Sequence, residues 1–334
     1  VNKKLLLLTM GDPCGIAPEI TYKAWEALNR QRKYCFAVIA QPEIFDYCHN
    51  KIKLINDPSE AINAFQNSLP LIPIDGHDPK KGQPNCIHST AILESIKLAV
   101  DICAKGKADG LVTNPVSKEI LYKSGFNFPG HTEYLGEITK GIHMINSRGP
   151  VMMLSGGGLK IALITVHVPL RKAALLITKK EIIKKARVIN EALIRDFGIK
   201  DPRIALAGIN PHAGERGQLG QEEMNIINPA AEILRKEGIN ISDALPADTL
   251  FHEKARSMYD AAIAMYHDQG LIPVKTLDFY GGVNITLGLP IVRTSPDHGT
   301  AFNIAGENIA RPDSLIAAIK TAREISNNRA MQNA

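Results

Sequence analysis

The chain has 334 residues, of which 45% are apolar but only 5% aromatic, and 39 basic against 34 acidic side chains leave a formal charge of +5. That length and apolar share are enough to bury a sizeable core, which excludes a disordered chain and fits two domains or one large bilobed unit. The positive excess is scattered over helical surfaces such as 179–187, with no aromatic stacking platform, which argues against nucleic acid and suits a small anionic substrate.

Residues 5–9 read as a buried strand, and their leucine run is too short for a signal peptide or a membrane span. A Gly/Pro-rich loop follows at 11–18 (GDPCGIAP), then a helix over 19–28 entered through Pro18. The loop lacks the GxGxxG fingerprint, so it is read either as a phosphate cradle or as a tight structural turn. Its Cys14 is one of five cysteines, an odd number with no CxxC pair, and all five are expected to be reduced thiols of a cytoplasmic protein. With no histidine beside it, Cys14 reads as a bystander. Strands are expected at 35–40 and near 51–55, a long amphipathic helix at 87–104 and another strand at 110–113. That strand opens into NPVSKE, where Ser117 or Asn114 caps a short helix closed by Gly125. Repeated strand–helix alternation predicts an α/β fold with a mostly parallel sheet covered by helices. Next, PGHTE (129–133) leads a helix ending near Lys140, with Thr132 as its cap or His131 and Thr132 as donors to a substrate oxygen.

The pattern changes after Pro150. Residues 151–154 and 161–166 flank a glycine-rich turn and predict a hairpin, either a dimerisation arm or the inner edge of a second domain. A helix over 172–197, a strand at 203–207, a helix around 222–237, a strand at 261–266 and a final helix at 312–326 complete the expected order. The two ends are assigned to one lobe and the middle to the other.

Three segments, ITVHVPL, GINPHAGE and AMYHDQG, each end an apolar run with one histidine beside a turn residue. His167, His212 and His267 could together form a three-imidazole site with an open position, the arrangement of a catalytic metal. Asp268 and Glu215 stand nearby as candidates to hold the second ring nitrogen. A single histidine at a strand end is ordinarily a turn residue; the weight here lies in the repetition. Lys275, Asn284 and Arg293 lie around turns in an otherwise apolar region, where a lysine and an arginine suit a phosphate monoester.

GDPCGIAPE, PGHTEYL, NPHAGE, LPADTLF, YDAAIAMYHDQG, GVNITLGLP and RTSPDHGTAFNIAG, in that order, resemble the signature segments of the PdxA family, the 4-hydroxythreonine-4-phosphate dehydrogenases of vitamin B6 biosynthesis. The resemblance runs from about residue 5 to about 317. It implies a two-domain α/β/α fold of the isocitrate/isopropylmalate dehydrogenase type, with a mixed sheet and a hairpin arm at a homodimer interface. Residues 1–130 and 270–334 would form the first lobe and 131–269 the second, with the metal-binding and dimerisation elements. It also implies a divalent ion (Zn2+, Mg2+ or Co2+) on His167, His212 and His267, shared across the dimer. Substrate contacts would come from His131, Thr132, Lys275, Asn284 and Arg293, and NAD or NADP contacts from His298, Gly299, Thr300, Ala301 and Asn303.

The family reaction oxidises the secondary alcohol of 4-phosphooxy-L-threonine with NAD(P)+ and decarboxylates the resulting 3-oxo acid to 3-amino-2-oxopropyl phosphate. Asp248 and Asp268 are the carboxylates nearest the relevant segments and are the acid–base candidates, with orientation of His267 ranked first for Asp268. Ala17 departs from the family, whose members commonly have glycine there; it should fit unless the position requires positive φ. A sister branch acting on D-threonate or D-erythronate 4-phosphate, or a non-catalytic metal-dependent sugar-phosphate-binding protein, are the other readings. No nucleic-acid or membrane partner is expected.

Overall fold

The structure is a computed structural model that describes residues 5–332 other than Pro129 and Asn146. It divides into two compact units, Val1–His143 with Pro290–Asn327 and Met144–Leu289 with Asn328–Ala334. In the first unit β1 (Leu6–Thr9), β2 (Phe36–Ala40), β3 (Ile52–Leu54), β4 (Leu69–Pro73) and β5 (Gly110–Val112) are interleaved with α1 (Ala17–Leu28), α2 (Ala61–Ala64) and α3 (Ser89–Ala104), and followed by α4 (Lys118–Lys123) and α5 (His131–Ile138). The second unit holds β6 (Val151–Gly156), β7 (Leu159–Leu163), β8 (Ile204–Ala207), β9 (Ile241–Leu245), β10 (Ala261–Ala264) and β11 (Val283–Leu287). Its helices are α6 (Leu170–Leu176), α7 (Lys179–Arg195), α8 (Asn228–Lys236), α9 (Ala247–Leu250), α10 (Glu253–Arg256) and α11 (His267–Leu277). The chain returns to the first unit in β12 (Arg293–Pro296) and α12 (Asp313–Gln332), whose last residues belong to the second.

The first unit orders its strands β3-β4-β2-β1-β5-β12, all parallel. Strands β1 (LLLT) and β2 (FAVIA) are buried at every residue, as a parallel sheet covered on both faces requires. The second unit runs β11-β6-β7-β10-β8-β9, with β11, β6 and β7 antiparallel to one another in turn and the other pairings parallel. The fold is therefore α/β with a mixed sheet in its second unit. The expected hairpin is present, with Gly157 (φ 57°) and Gly158 (φ 79°) supplying the two left-handed residues of its turn. Its two strands lie inside the sheet. Strand β6 is bonded to β11 as well as β7, and β7 to β10 as well as β6, so both ladders are already filled.

The unit boundaries also differ from the expected ones. Phe126 and Phe128 each pack 5.2 Å from the Tyr134 ring, which keeps α5 in the first unit. Strand β11 pairs with β6, and Val274 of α11 joins the core of Leu154, Ile161 and Leu163, so residues 267–289 stay in the second. The expected helix over 172–197 is broken into α6 and α7 because the Thr178 side chain accepts from Glu181 N and starts a new helix. Helix α11 escaped the sequence reading because Gly270 and Pro273 interrupt its pattern.

Candidate active site

In the first unit the loops leaving β1 and β12 meet beyond the carboxyl ends of the parallel strands, the usual ligand side of such a sheet. The loop after β1 spends its N–H groups internally. Asp12 N donates to Pro115 O (2.8 Å), Gly15 N to Asp12 O (3.1 Å) and Ile16 N to Thr300 O (3.0 Å), which favours the structural over the phosphate reading. Gly15 is demanded by this approach, since a Cβ would sit 2.6 Å from Thr300 O. Ala17 opens α1 with a helical backbone and is not among the positive-φ residues, so the departure from glycine costs nothing. Cys14 is buried and its thiol is pushed up to about 11 by burial and Asp12, which makes it unreactive at neutral pH.

A cavity of about 740 Å³ in this unit is lined by Pro13, Gly15, Tyr22, Tyr47, Lys81 and Asn308, among others. Of the five expected nucleotide contacts, Thr300 is bonded to the β1 loop, Ala301 takes a left-handed φ of 43°, and His298, Gly299 and Asn303 are exposed. The same loop lines the cavity through Gly306 and Asn308 instead.

Arg293 opens β12 and is 4% exposed, with Nε 3.1 Å and Nη2 2.6 Å from the Thr113 hydroxyl oxygen to which they donate. Burial lowers this guanidinium to about 10, against the favourable charge of Glu133. His131, the first residue of α5, is lowered to about 3 by burial first and then by Arg293 and Lys118, so its imidazole is neutral at any physiological pH. Its Nε2 is buried without a hydrogen-bond partner among the described residues. A buried cation beside a neutral ring with one unused nitrogen is a pocket suited to an anionic, hydroxyl-bearing ligand. Thr132 lies within α5 and does not cap it; the N-cap is Gly130, and Pro129 of the motif lies outside the described residues. Ser117, not Asn114, caps α4, while Asn114 bonds Thr9 O (2.9 Å) and Thr21 Oγ1 (2.8 Å). Sequence reading missed Lys118, whose ammonium burial pushes down; the only signal was its place in NPVSKE.

Because His131 is neutral when folded but titrates near 6.5 when unfolded, protonation favours the unfolded chain as pH falls from about 6.5 toward 3. Replacing His131 by Gln should therefore remove up to about 2 kcal/mol of the stability otherwise lost between pH 7 and 5. Urea unfolding at the two pH values checks this; equal losses in both proteins would mean the ring is solvated.

In the second unit the His167 and His267 rings lie 5.5 Å apart between centroids, inclined by 46°. His267 Nδ1 is 2.7 Å from Asp268 Oδ1, the kind of carboxylate partner that stands behind metal-bound imidazoles, an arrangement that would leave Nε2 for an ion. The donor chemistry thus fits a divalent ion. Among the described residues, however, no three His, Cys, Asp or Glu side chains stand close enough to hold one. One chain brings two of the three predicted imidazoles together and does not complete the set.

His212 is presented on an unusual backbone. His212, Ala213, Gly214, Glu215 and Arg216 all take left-handed φ, from 41° to 80°. Four of the five carry a Cβ, at a cost of about 1–2 kcal/mol each, so the turn requires strong external support. Just ahead of it, Glu223, 1% exposed, accepts at Oε1 from Ile209 N and Asn210 N at 2.8 Å each. Sequence reading saw only a helical stretch in QEEMN and missed this residue.

The other candidates are dispersed over the same unit. Asp248 is exposed on α9, a helix packed against the 211–217 segment. Lys275 lies on α11 with its ammonium 5.4 Å from the Phe279 ring centroid. Asn284 lies on β11, and its Oδ1 is buried without a hydrogen-bond partner among the described residues.

A family model described as "Pyridoxal phosphate biosynthetic protein PdxA" matches residues 32–322. A 4-hydroxythreonine-4-phosphate dehydrogenase of Caulobacter vibrioides is 50% identical over 332 residues, covering 98% of this chain and 99% of the relative. One from Maricaulis maris is 49% identical over 97% of this chain and 98% of its own. The crystal structure of the enzyme of that name from Klebsiella pneumoniae superposes with a TM-score of 0.85 at 35% identity, covering 97% and 99% of the two chains.

Proposed function

The chain belongs to the PdxA family, and on that premise we propose that it is a 4-hydroxythreonine-4-phosphate dehydrogenase of pyridoxal 5'-phosphate biosynthesis. The reaction oxidises the secondary alcohol of 4-phosphooxy-L-threonine with NAD(P)+, and the 3-oxo acid loses carbon dioxide to give 3-amino-2-oxopropyl phosphate. The observation that supports this reading best is the Arg293–His131 pocket, a buried cation beside a neutral hydrogen-bonding ring.

In the first unit, Arg293 takes an anionic group of the substrate while His131, with Thr132 next to it, hydrogen bonds an oxygen without adding charge. In the second unit, His167, His212 and His267 hold a divalent metal as a set completed by a second copy of the chain, and Asp268 keeps the His267 ring in one tautomer. When bound, that ion supplies a Lewis acid at the reacting alcohol and its carbonyl product, and the nicotinamide supplies the two-electron acceptor. Lys275 and Asn284 contribute further substrate contacts. Asp248 is the carboxylate available to move a proton through water, being exposed beside the His212 turn. The 298–303 loop, with the cavity bordered by Gly306 and Asn308, holds the dinucleotide. The functional unit is a homodimer working in the cytoplasm; among the described residues no helix is long and apolar enough to cross a membrane.

The test follows NAD(P)H absorbance with metal-loaded protein, offering 4-phosphooxy-L-threonine and D-threonate 4-phosphate in parallel with each nicotinamide and a chelator control. Chelator-sensitive turnover of the amino substrate is expected. Preference for the sugar acid would move the chain to the sister activity, and no reduction of either nicotinamide with either substrate would overturn the dehydrogenase reading.

A further inference from the structure

We propose that Glu223 is the positioning residue of the metal loop: its carboxylate, seconded by Gln269, clamps residues 208–216 so that the left-handed turn carrying His212 persists before any ion binds. The inference rests on the reading of His212 as a ligand.

Both oxygens of Glu223 are used. Oε1 accepts from Ile209 N and Asn210 N, and Oε2 accepts from Asn210 Nδ2 at 2.9 Å. Asn210 is held again by Glu222 Oε2 (2.7 Å), and its own carbonyl accepts from Ala213 N (3.1 Å), inside the turn. The loop is shaped to the carboxylate: a Cβ at Gly214 would lie 2.7 Å from Oε2, and one at Gly208 would lie 3.1 Å from Oε1. Glu223 itself begins a π-helical turn over Glu223–Ile227, a local insertion that recurs at functional sites. Gln269 joins this loop to the other histidines. Its Nε2 donates to Gly208 O (2.6 Å), just after β8, and its Oε1 accepts from Met265 N (2.7 Å), two residues before His267. One buried side chain therefore ties the backbone ahead of His212 to the backbone ahead of His267.

Glu223→Gln separates positioning from packing, because the amide keeps the shape but turns one acceptor into a donor facing Asn210 Nδ2. Metal-free full-length protein is titrated with Co2+ and followed by visible d–d absorption, with thermal unfolding measured alongside. Glu223→Gln is expected to weaken cobalt binding by about 10–100-fold, the range for residues that orient a ligand. Asn210→Ala, which keeps Glu223 and removes its side-chain partner, should weaken it in the same direction and serves if Glu223→Gln does not fold. Asp196→Asn is the stability control. It disturbs a similarly buried carboxylate of the same unit, bonded by Arg195 and Arg329, and should lower Tm without moving cobalt affinity. His212→Ala checks the underlying reading and should bind cobalt more weakly than any of these. Wild-type cobalt affinity and spectrum in the folded Glu223 and Asn210 variants, with His212→Ala impaired, would overturn the clamp and leave the metal reading standing. Wild-type affinity in His212→Ala would overturn both.

Discussion

His267→Ala should abolish turnover, with kcat/KM reduced by on the order of 10³-fold or more, because residues that only orient a ligand already account for about 10–100-fold in metal affinity or activity. The ring sits beside His167, and its Nδ1 is engaged by Asp268, so the substitution removes a donor nitrogen and strands the carboxylate that held it. Both groups are partly open to solvent and contribute little to the core, so Tm should change little. Cobalt titration and steady-state kinetics together decide the matter. Loss of cobalt binding with intact folding is the expected result, and a His267→Ala protein that binds cobalt normally would remove this histidine from the ligand set. Asp268→Asn should fall between the two, weakening binding by about 10–100-fold while leaving the imidazole in place.

Arg293→Met should be the mirror case, in which substrate recognition collapses while the fold does not weaken. An arginine that burial pulls well below its usual range, to about 10, is held charged at a cost on the order of 3 kcal/mol, and a methionine of similar reach carries no such penalty. On the proposed function, what it loses is the charge-assisted contact with the substrate anion, about 2–5 kcal/mol, or roughly 30- to 5,000-fold in kcat/KM. Most of that loss is expected in KM, because an anchor remote from the reacting carbon binds ground and transition states alike. Thermal unfolding with steady-state kinetics tests both halves. A lowered Tm with unchanged KM would mark Arg293 as a purely structural residue.

These two residues differ in how far the sequence revealed them. His267 announced itself, since an apolar strand ending in a histidine followed by an aspartate is a local arrangement, and Nδ1 does meet the adjacent carboxylate. Strand–helix alternation over the first 125 residues was equally local, as was the 151–163 hairpin with its two glycines. Arg293 was visible as a basic residue near a turn, suited to a phosphate and matched to the family's substrate contacts, but nothing local marked it as buried. It becomes a buried cation because β12 pairs with β5, bringing Arg293 beside Leu111 and Thr113 some 180 positions earlier in the chain. The place of the hairpin inside the sheet was hidden for a related reason: neither the return of β11 to β6 nor that of β10 to β7 is written in the hairpin's own residues.

The sequence by itself therefore determined many of the elements, their order and the candidate residue types, because propensity, capping and turn geometry act over a few residues. The tertiary structure alone decided that His131 is neutral, that Arg293 is buried, and that a left-handed turn braced by Glu223 carries His212. Each of these depends on desolvation and hydrogen bonding by groups distant in sequence or hidden in an ordinary helical pattern, and those energies exist only once the chain has closed around them.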